Sequence, residues 1–202
     1  MAKVWSDFYS LLAPHVPGCP DVSMDTHLSA AAADFLARSQ VWRDVADKVF
    51  LVPNVSTYDI SADFPIERIT AAAIDGSDIT QVDSREIPEK NRSEVGEPTK
   101  FWVVQDTMIS VWPIPDKRYT MSFRAALKPS RTALSVPDWV YEVWADALVS
   151  GAIARLAAIP NKEWSDINAA SMHKLMFERA ITSARVRDLR GVESTVKMRP
   201  FY

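Results

Sequence analysis

The chain has three histidines and one cysteine. His15, Cys19 and Asp21 fall together in the stretch "PHVPGCPD", residues 14–21. A cysteine nucleophile needs a positioned base and oxyanion donors, and a structural zinc needs about four ligands in a tetrahedral array. One cysteine excludes an intramolecular disulfide and a four-cysteine zinc site. His27 and His173 lack the i, i+4 partner of a helical metal site, and the prolines between His15 and Cys19 do not guarantee that the two can meet. Pro14, Pro17 and Pro20 block helix continuation while Gly18 permits a sharp bend. The stretch therefore reads as a stiff corner between two helices, with Cys19 packed as a small hydrophobe.

Carboxylates offer a second route to chemistry. Glu142 and Asp146 stand i, i+4 on the polar face of a predicted helix, and Asp83, Glu86 and Glu89 share a polar loop. Glycoside hydrolysis requires two carboxyl groups at a set separation, one with a raised pKa. Sequence shows neither condition, so solvated faces are the expectation and a cell-wall hydrolase the alternative. No Gly-x-Gly-x-x-Gly, Gly-Lys-Ser/Thr loop or Gly-x-Ser-x-Gly occurs, and the chain has five glycines in all. Catalytic residues, cofactor and metal are each expected to be none.

The C-terminal end carries a different signal. From His173 to Tyr202 seven basic residues face three acidic ones, a local net of +4 in a chain of net −3. Such asymmetry marks a partner-facing end. The final "VESTVKMRPFY" leaves two aromatics at the terminus, which suits a tail that orders on another subunit. The overall negative balance gives no reason to expect a tight nucleic-acid binder.

These residues must be positioned by elements of two kinds. With 48% hydrophobic and 24% charged residues, 202 in all, the composition is globular. Val4 to Leu12 follows helical spacing, and "SMDTHLSAAAADFLARS" reads as a second helix with Ser23 as N-cap and Leu28, Ala31, Ala32 and Phe35 on one face. Between Val45 and Leu127 the pattern changes to five to seven short strands. These include "KVFLVPNVSTYDI" as two strands around a Pro-Asn turn and "IERITAAAIDGSDI" as a strand pair around Asp-Gly. Pro137-Asp138 opens a third helix with Val140, Val143, Trp144, Ala147, Leu148 and Gly151 on one stripe. A fourth helix, capped by Ser165 or Asp166 and stopped by Gly191, has Ile167, Met172, Leu175, Met176 and Ile181 as its apolar set.

The fold class expected is α+β: a helical bundle, two N-terminal helices plus a C-terminal antiparallel helix hairpin, with an inserted small antiparallel β-sheet domain. The divisions expected are 1–44, 45–130, 131–191 and an extended tail at 192–202. The N-terminus has no apolar signal-peptide core, and no run approaches a bilayer span, so no membrane role is expected.

The stretches "PHVPGCPD", "SQVWRD", "STYDI", "WPIPD" and "ALKPSRTALSVPDWVYEVWADALVSGAIARLAAIPNKEWSD" resemble those of phage head-to-tail adaptors, the head completion or tail tubular A-like proteins of short-tailed phages especially. The resemblance runs from Val4 to Arg190. It implies a virion protein assembled as a ring, commonly dodecameric, between the portal and the tail nozzle. Double-stranded DNA would pass through the lumen without specific binding. It also implies a place at the head–tail junction, after assembly in the host cytoplasm, with an adaptor of a long-tailed phage as the variant reading. C-terminal segments of the family commonly dock on the portal, which makes Arg190, Lys197, Arg199, Phe201 and Tyr202 the expected portal-binding residues. No carboxylate matches a motif through which the hydrolase activity proposed for some relatives could be carried over.

Overall fold

A computed structural model describes residues 2–60, 65–105, 108–130 and 132–190, without the side chains at 45–47, 90 and 188–190. In chain order the elements are β1 (Ala2–Val4), α1 (Tyr9–Leu12), α2 (Asp21–Ser39), β2 (Arg43–Leu51), β3 (Thr57–Asp59), β4 (Ile66–Ile74) and β5 (Ser77–Gln81). There follow β6 (Val95–Gly96), β7 (Lys100–Gln105), β8 (Met108–Trp112), β9 (Ile114–Pro115), β10 (Tyr119–Leu127), β11 (Ser135–Pro137), α3 (Asp138–Leu156) and α4 (Ile167–Arg190). The chain divides into two compact units, Met1–Val41 with Pro129–Tyr202, and Trp42–Lys128.

In the first unit β1 pairs antiparallel with β11, Ala2 opposite Pro137 and Val4 opposite Ser135. The continuous helix expected from Val4 to Leu12 is instead a 3-10 turn (Trp5–Phe8), one turn of α1 and a second 3-10 turn (Ala13–His15). Both helix types return a side chain to the same face after three or four residues, so Trp5, Phe8 and Leu12 are buried either way. Periodicity could not tell them apart. The Trp5 indole N–H donates to the Ala133 carbonyl at 2.7 Å, and Phe8 meets Tyr141 edge-to-face with centroids 4.9 Å apart.

The long helix α2 starts earlier than the Ser23 cap implied: Pro20 is its N-cap, and the Pro20 carbonyl accepts from the Ser23 and Met24 N–H groups. It ends on Gln40 in the left-handed region. Leu28, Ala31, Ala32 and Phe35 are fully buried, as their spacing predicts. Alanine at 31 and 32 lets α3 and α4 come close, and Phe35 packs on both Trp144 (5.2 Å) and Phe177 (6.2 Å).

Of the apolar set expected to be buried on the fourth helix, only Ile181 is. Ala170, His173, Phe177, Ile181 and Ala184 are buried, whereas Ile167, Met172, Leu175 and Met176 are exposed. Two stripes of helical period run along α4, and the partner decides between them. The alanines of α2 and Gly151 of α3 leave a shallow surface that a single ring and small side chains fill closely.

The second unit corrects the expected fold class. It is a curled mixed sheet of seven strands in the order β2-β10-β4-β5-β7-β8-β3, with a separate β6–β9 pair. Strand accounts for 30% and helix for 43% of the structure, so the sheet is no small antiparallel insertion in a helical bundle. All neighbours in the large sheet are antiparallel except β5 and β7, which run parallel, Thr80 opposite Lys100 and Gln81 opposite Phe101. A parallel pair needs a crossover of a dozen or more residues. The breaker-rich segment 82–99 is that crossover, and it carries two 3-10 turns and β6.

Strand pairing also departs from simple hairpins. The strands either side of Pro53-Asn54 do not pair with each other: β2 joins β10 at one edge of the sheet and β3 joins β8 at the other. By contrast β4 and β5 form the expected hairpin, with Asp75 and Gly76 both at positive φ (47° and 89°), as a tight two-residue turn requires. Strand β10 lies between β2 and β4 and buries Tyr119, Met121, Phe123 and Ala125 to Leu127. Among the described residues no helix is long and apolar enough to cross a membrane.

Candidate functional site

The cysteine corner is held by backbone. The Val16 N–H bonds to the Ala13 carbonyl at 3.3 Å and the Cys19 N–H to the Val16 carbonyl at 3.2 Å. Gly18, at φ +76°, makes the bend, and a Cβ there would also meet a carboxylate oxygen of Glu163 at 3.0 Å. Cys19 is buried, its thiol 3.8 Å from the Pro20 carbonyl. Burial, and secondarily Asp21, push the thiol pKa up, opposite to the direction that activates a nucleophile.

His15 finds a partner remote in sequence. Its ring stands edge-on to that of His173, with centroids 5.2 Å apart and planes at 74°. His173 is only 7% exposed and its Nδ1 has no hydrogen-bond partner. Burial first, then His15, lower its pKa, because a charged imidazole here would lose hydration and stand against the other ring. Among the described residues, no three His, Cys, Asp or Glu side chains are arranged to hold a metal ion. Nothing in the spacing of His15 and His173 could have paired them; the pairing follows from where α4 packs.

The loop carboxylates serve a cap. An Asp83 carboxylate oxygen accepts from the Arg85 N–H at 2.9 Å, and Glu86 accepts from the Asp83 N–H at 3.3 Å, a reciprocal capping box on the Ser84–Glu86 turn. Glu89 stands in the first turn of the next 3-10 segment. Glu142 and Asp146 project from the exposed side of α3.

Charged residues tie the three long helices, a feature the sequence reading missed. Asp34 of α2 accepts from Arg155 of α3 at 2.9 Å and lies 3.8 Å from Arg38. Arg38 in turn grips Glu178 of α4 with two bonds, one of 2.9 Å from Nη1 and a shorter one from Nη2. Tyr9 donates to Asp25 at 2.7 Å; burial first, then that bond, raises the phenol pKa. Asp34 and Arg38 at i, i+4 on a predicted helix were the one legible part of this network.

Two exposed stripes remain. On α3 they are Trp139 (39% exposed), Glu142, Val143 (45%) and Asp146; on α4 they are Met172 (54%), Leu175 (53%), Met176 (50%) and Arg179. Each set follows i, i+3, i+4, i+7, and each lies on the side of its helix away from the buried face. The predicted portal-binding residues Lys197, Arg199, Phe201 and Tyr202 and the side chain of Arg190 lie outside the described residues.

The charged groups serve caps and helix ties, and the apolar stripes left in solvent have the side-chain types found at interaction surfaces. The chain belongs to the SU10 adaptor protein family, whose model matches residues 9–199. This is a phage head-to-tail adaptor family, which bears out the resemblance and extends it past Arg190. The role is structural, in a virion at the head–tail junction, and portal and tail are the partners in an oligomeric assembly. No curated protein matches the chain.

Proposed function

We propose that the protein forms a closed homo-oligomeric ring, dodecameric to match the portal, that joins the portal to the tail nozzle and continues the DNA channel. The family match across residues 9–199 carries this reading. A ring requires two different, complementary faces on each subunit, related by a rotation that closes. The two unlike stripes on α3 and α4 suit that requirement. A conduit for DNA must also let go of phosphates, since each one neutralised adds binding free energy and drag. A net charge of −3 suits passage without retention.

In this reading the segment from Val192 to Tyr202 docks on the portal. Arg190, Lys197 and Arg199 supply the charge, Phe201 and Tyr202 the apolar anchors. The test mixes purified portal rings of the same virus with the full chain and with a chain truncated after Gly191. Electron microscopy and sedimentation should show a second ring on the portal for the full chain, and markedly weaker attachment for the truncated one. A full chain that leaves portal rings bare would sink the ring reading. Unchanged attachment of the truncated chain would sink the docking role of the tail alone.

A further inference from the structure

The geometry points to the contact between ring subunits: the exposed α3 stripe of one copy seats against the exposed α4 stripe of the next. This rests on the ring reading above and names the surfaces through which it would be built.

Both stripes belong to the same compact unit, yet neither covers the other within one copy. Helices α3 and α4 meet through their opposite sides, where the ring of Phe177 presses on Gly151 and the alanine face of α2 closes the packing. Trp139 and Val143 on α3, and Met172, Leu175 and Met176 on α4, are therefore left in water at about 40 to 55% exposure. A long methionine–leucine stripe and an indole are the side-chain types enriched at protein interfaces, and Met adapts to an irregular opposing surface.

The occupant is a second copy because the stripes complement each other in charge. Glu142 and Asp146 interrupt the apolar residues of α3, and Arg179 extends the stripe of α4. An acidic, apolar helix face and a basic, apolar one gain ion pairs with each other that neither gains with its own kind. Two α3 stripes brought together would pair no carboxylate with a cation, and two α4 stripes would pair no guanidinium with an anion. The contact is thus heterologous, the type that propagates to a ring and does not stop at a two-fold dimer.

Val143→Asp and Leu175→Asp each place a charge at the centre of one stripe, on an exposed position where the fold is unaffected. Far-ultraviolet circular dichroism and thermal melting should match the parent chain. Each variant alone should lose self-association, and assembly on portal rings, by at least about tenfold. Mixed together, the two variants should form a 1:1 pair that grows no further, since one intact stripe of each kind survives. As a second readout, Val143→Cys and Leu175→Cys chains, both carrying Cys19→Ser, should form an inter-chain disulfide when mixed. Parent assembly that both aspartate variants retain would overturn this interface and leave the ring reading standing. A parent chain that stays single in solution and on portal rings would overturn both. Pairs of Val143→Asp with itself would show an isologous contact and overturn the head-to-tail arrangement.

Discussion

A β-carbon built on Gly151 would lie 2.7 and 2.8 Å from two ring carbons of Phe177 and 3.0 Å from the Ala31 β-carbon. The three long helices thus converge where one of them has no side chain. Phe177 is buried and also packs on Phe35, so its ring has little room to retreat.

Gly151→Ala should therefore destabilise the chain. Helix propensity favours alanine by about 1 kcal/mol, but overpacking a closed core costs about 1–3 kcal/mol. A net loss of about 1 kcal/mol is expected, read as a lowered urea midpoint at unchanged m. In a Phe177→Leu background the same Gly151→Ala change should cost less than in the parent, because the ring that clashes is gone.

His173 should make the protein acid-sensitive in a window above the carboxylates. Its pKa is lowered in the folded state, so the unfolded chain takes up the proton first as pH falls below about 6.5. Stability is then flat above that value and declines below it, until the folded-state pKa is passed. Melts between pH 7.5 and 5 should show this decline, and His173→Gln should make it shallower, leaving the share of His27, whose pKa is lowered by burial and then by Arg155. A His173→Gln slope as steep as the parent's would remove His173 as the cause.

The Arg38–Glu178 pair lies on a partly exposed surface, so its worth is small despite the two-bond geometry. A double-mutant cycle with Arg38→Met and Glu178→Gln should give a coupling of about 0.5–1 kcal/mol, shrinking in 1 M salt. The arginine holds the Glu178 carboxyl below its usual pKa. The coupling should therefore be present above about pH 4.3 and vanish as pH falls through the lowered folded-state value.

Asp166 caps α4 by accepting from the Asn168 and Ala169 N–H groups at 2.9 and 3.0 Å. Asp166→Ala should cost about 1 kcal/mol in chemical denaturation, and Asp166→Asn much less, since an amide oxygen can take the same bonds. Equal losses in the two variants would mean that charge at the helix N-terminus, and not the hydrogen bonds, does the stabilising.

Local chemistry determined much of this protein from sequence alone. Gly18, the prolines around it and the Asp75-Gly76 pair act through their own backbone preferences, so the corner and the β4–β5 hairpin were legible, while the start of α2 at Pro20 and not Ser23 was not. So were the buried Leu28, Ala31, Ala32 and Phe35, which form the only wide apolar face of their helix. The resemblance to a head-to-tail adaptor lay in the proline corner at 14–21, three other short stretches and the long segment from Ala126 to Asp166.

Tertiary structure decided what depends on a partner. Whether Met172 or Phe177 faces inward is set by the hollow at Gly151, which no pattern within α4 encodes. Strands β2 and β3, separated by only the five residues 52–56, end at opposite edges of the sheet, β2 on β10 and β3 on β8. The parallel β5–β7 pair turned a polar loop into a crossover and a small sheet into a seven-stranded one. Side-chain period reports that a strand or helix exists and which faces are apolar, while pairing and burial are choices among faces that only the assembled neighbours make.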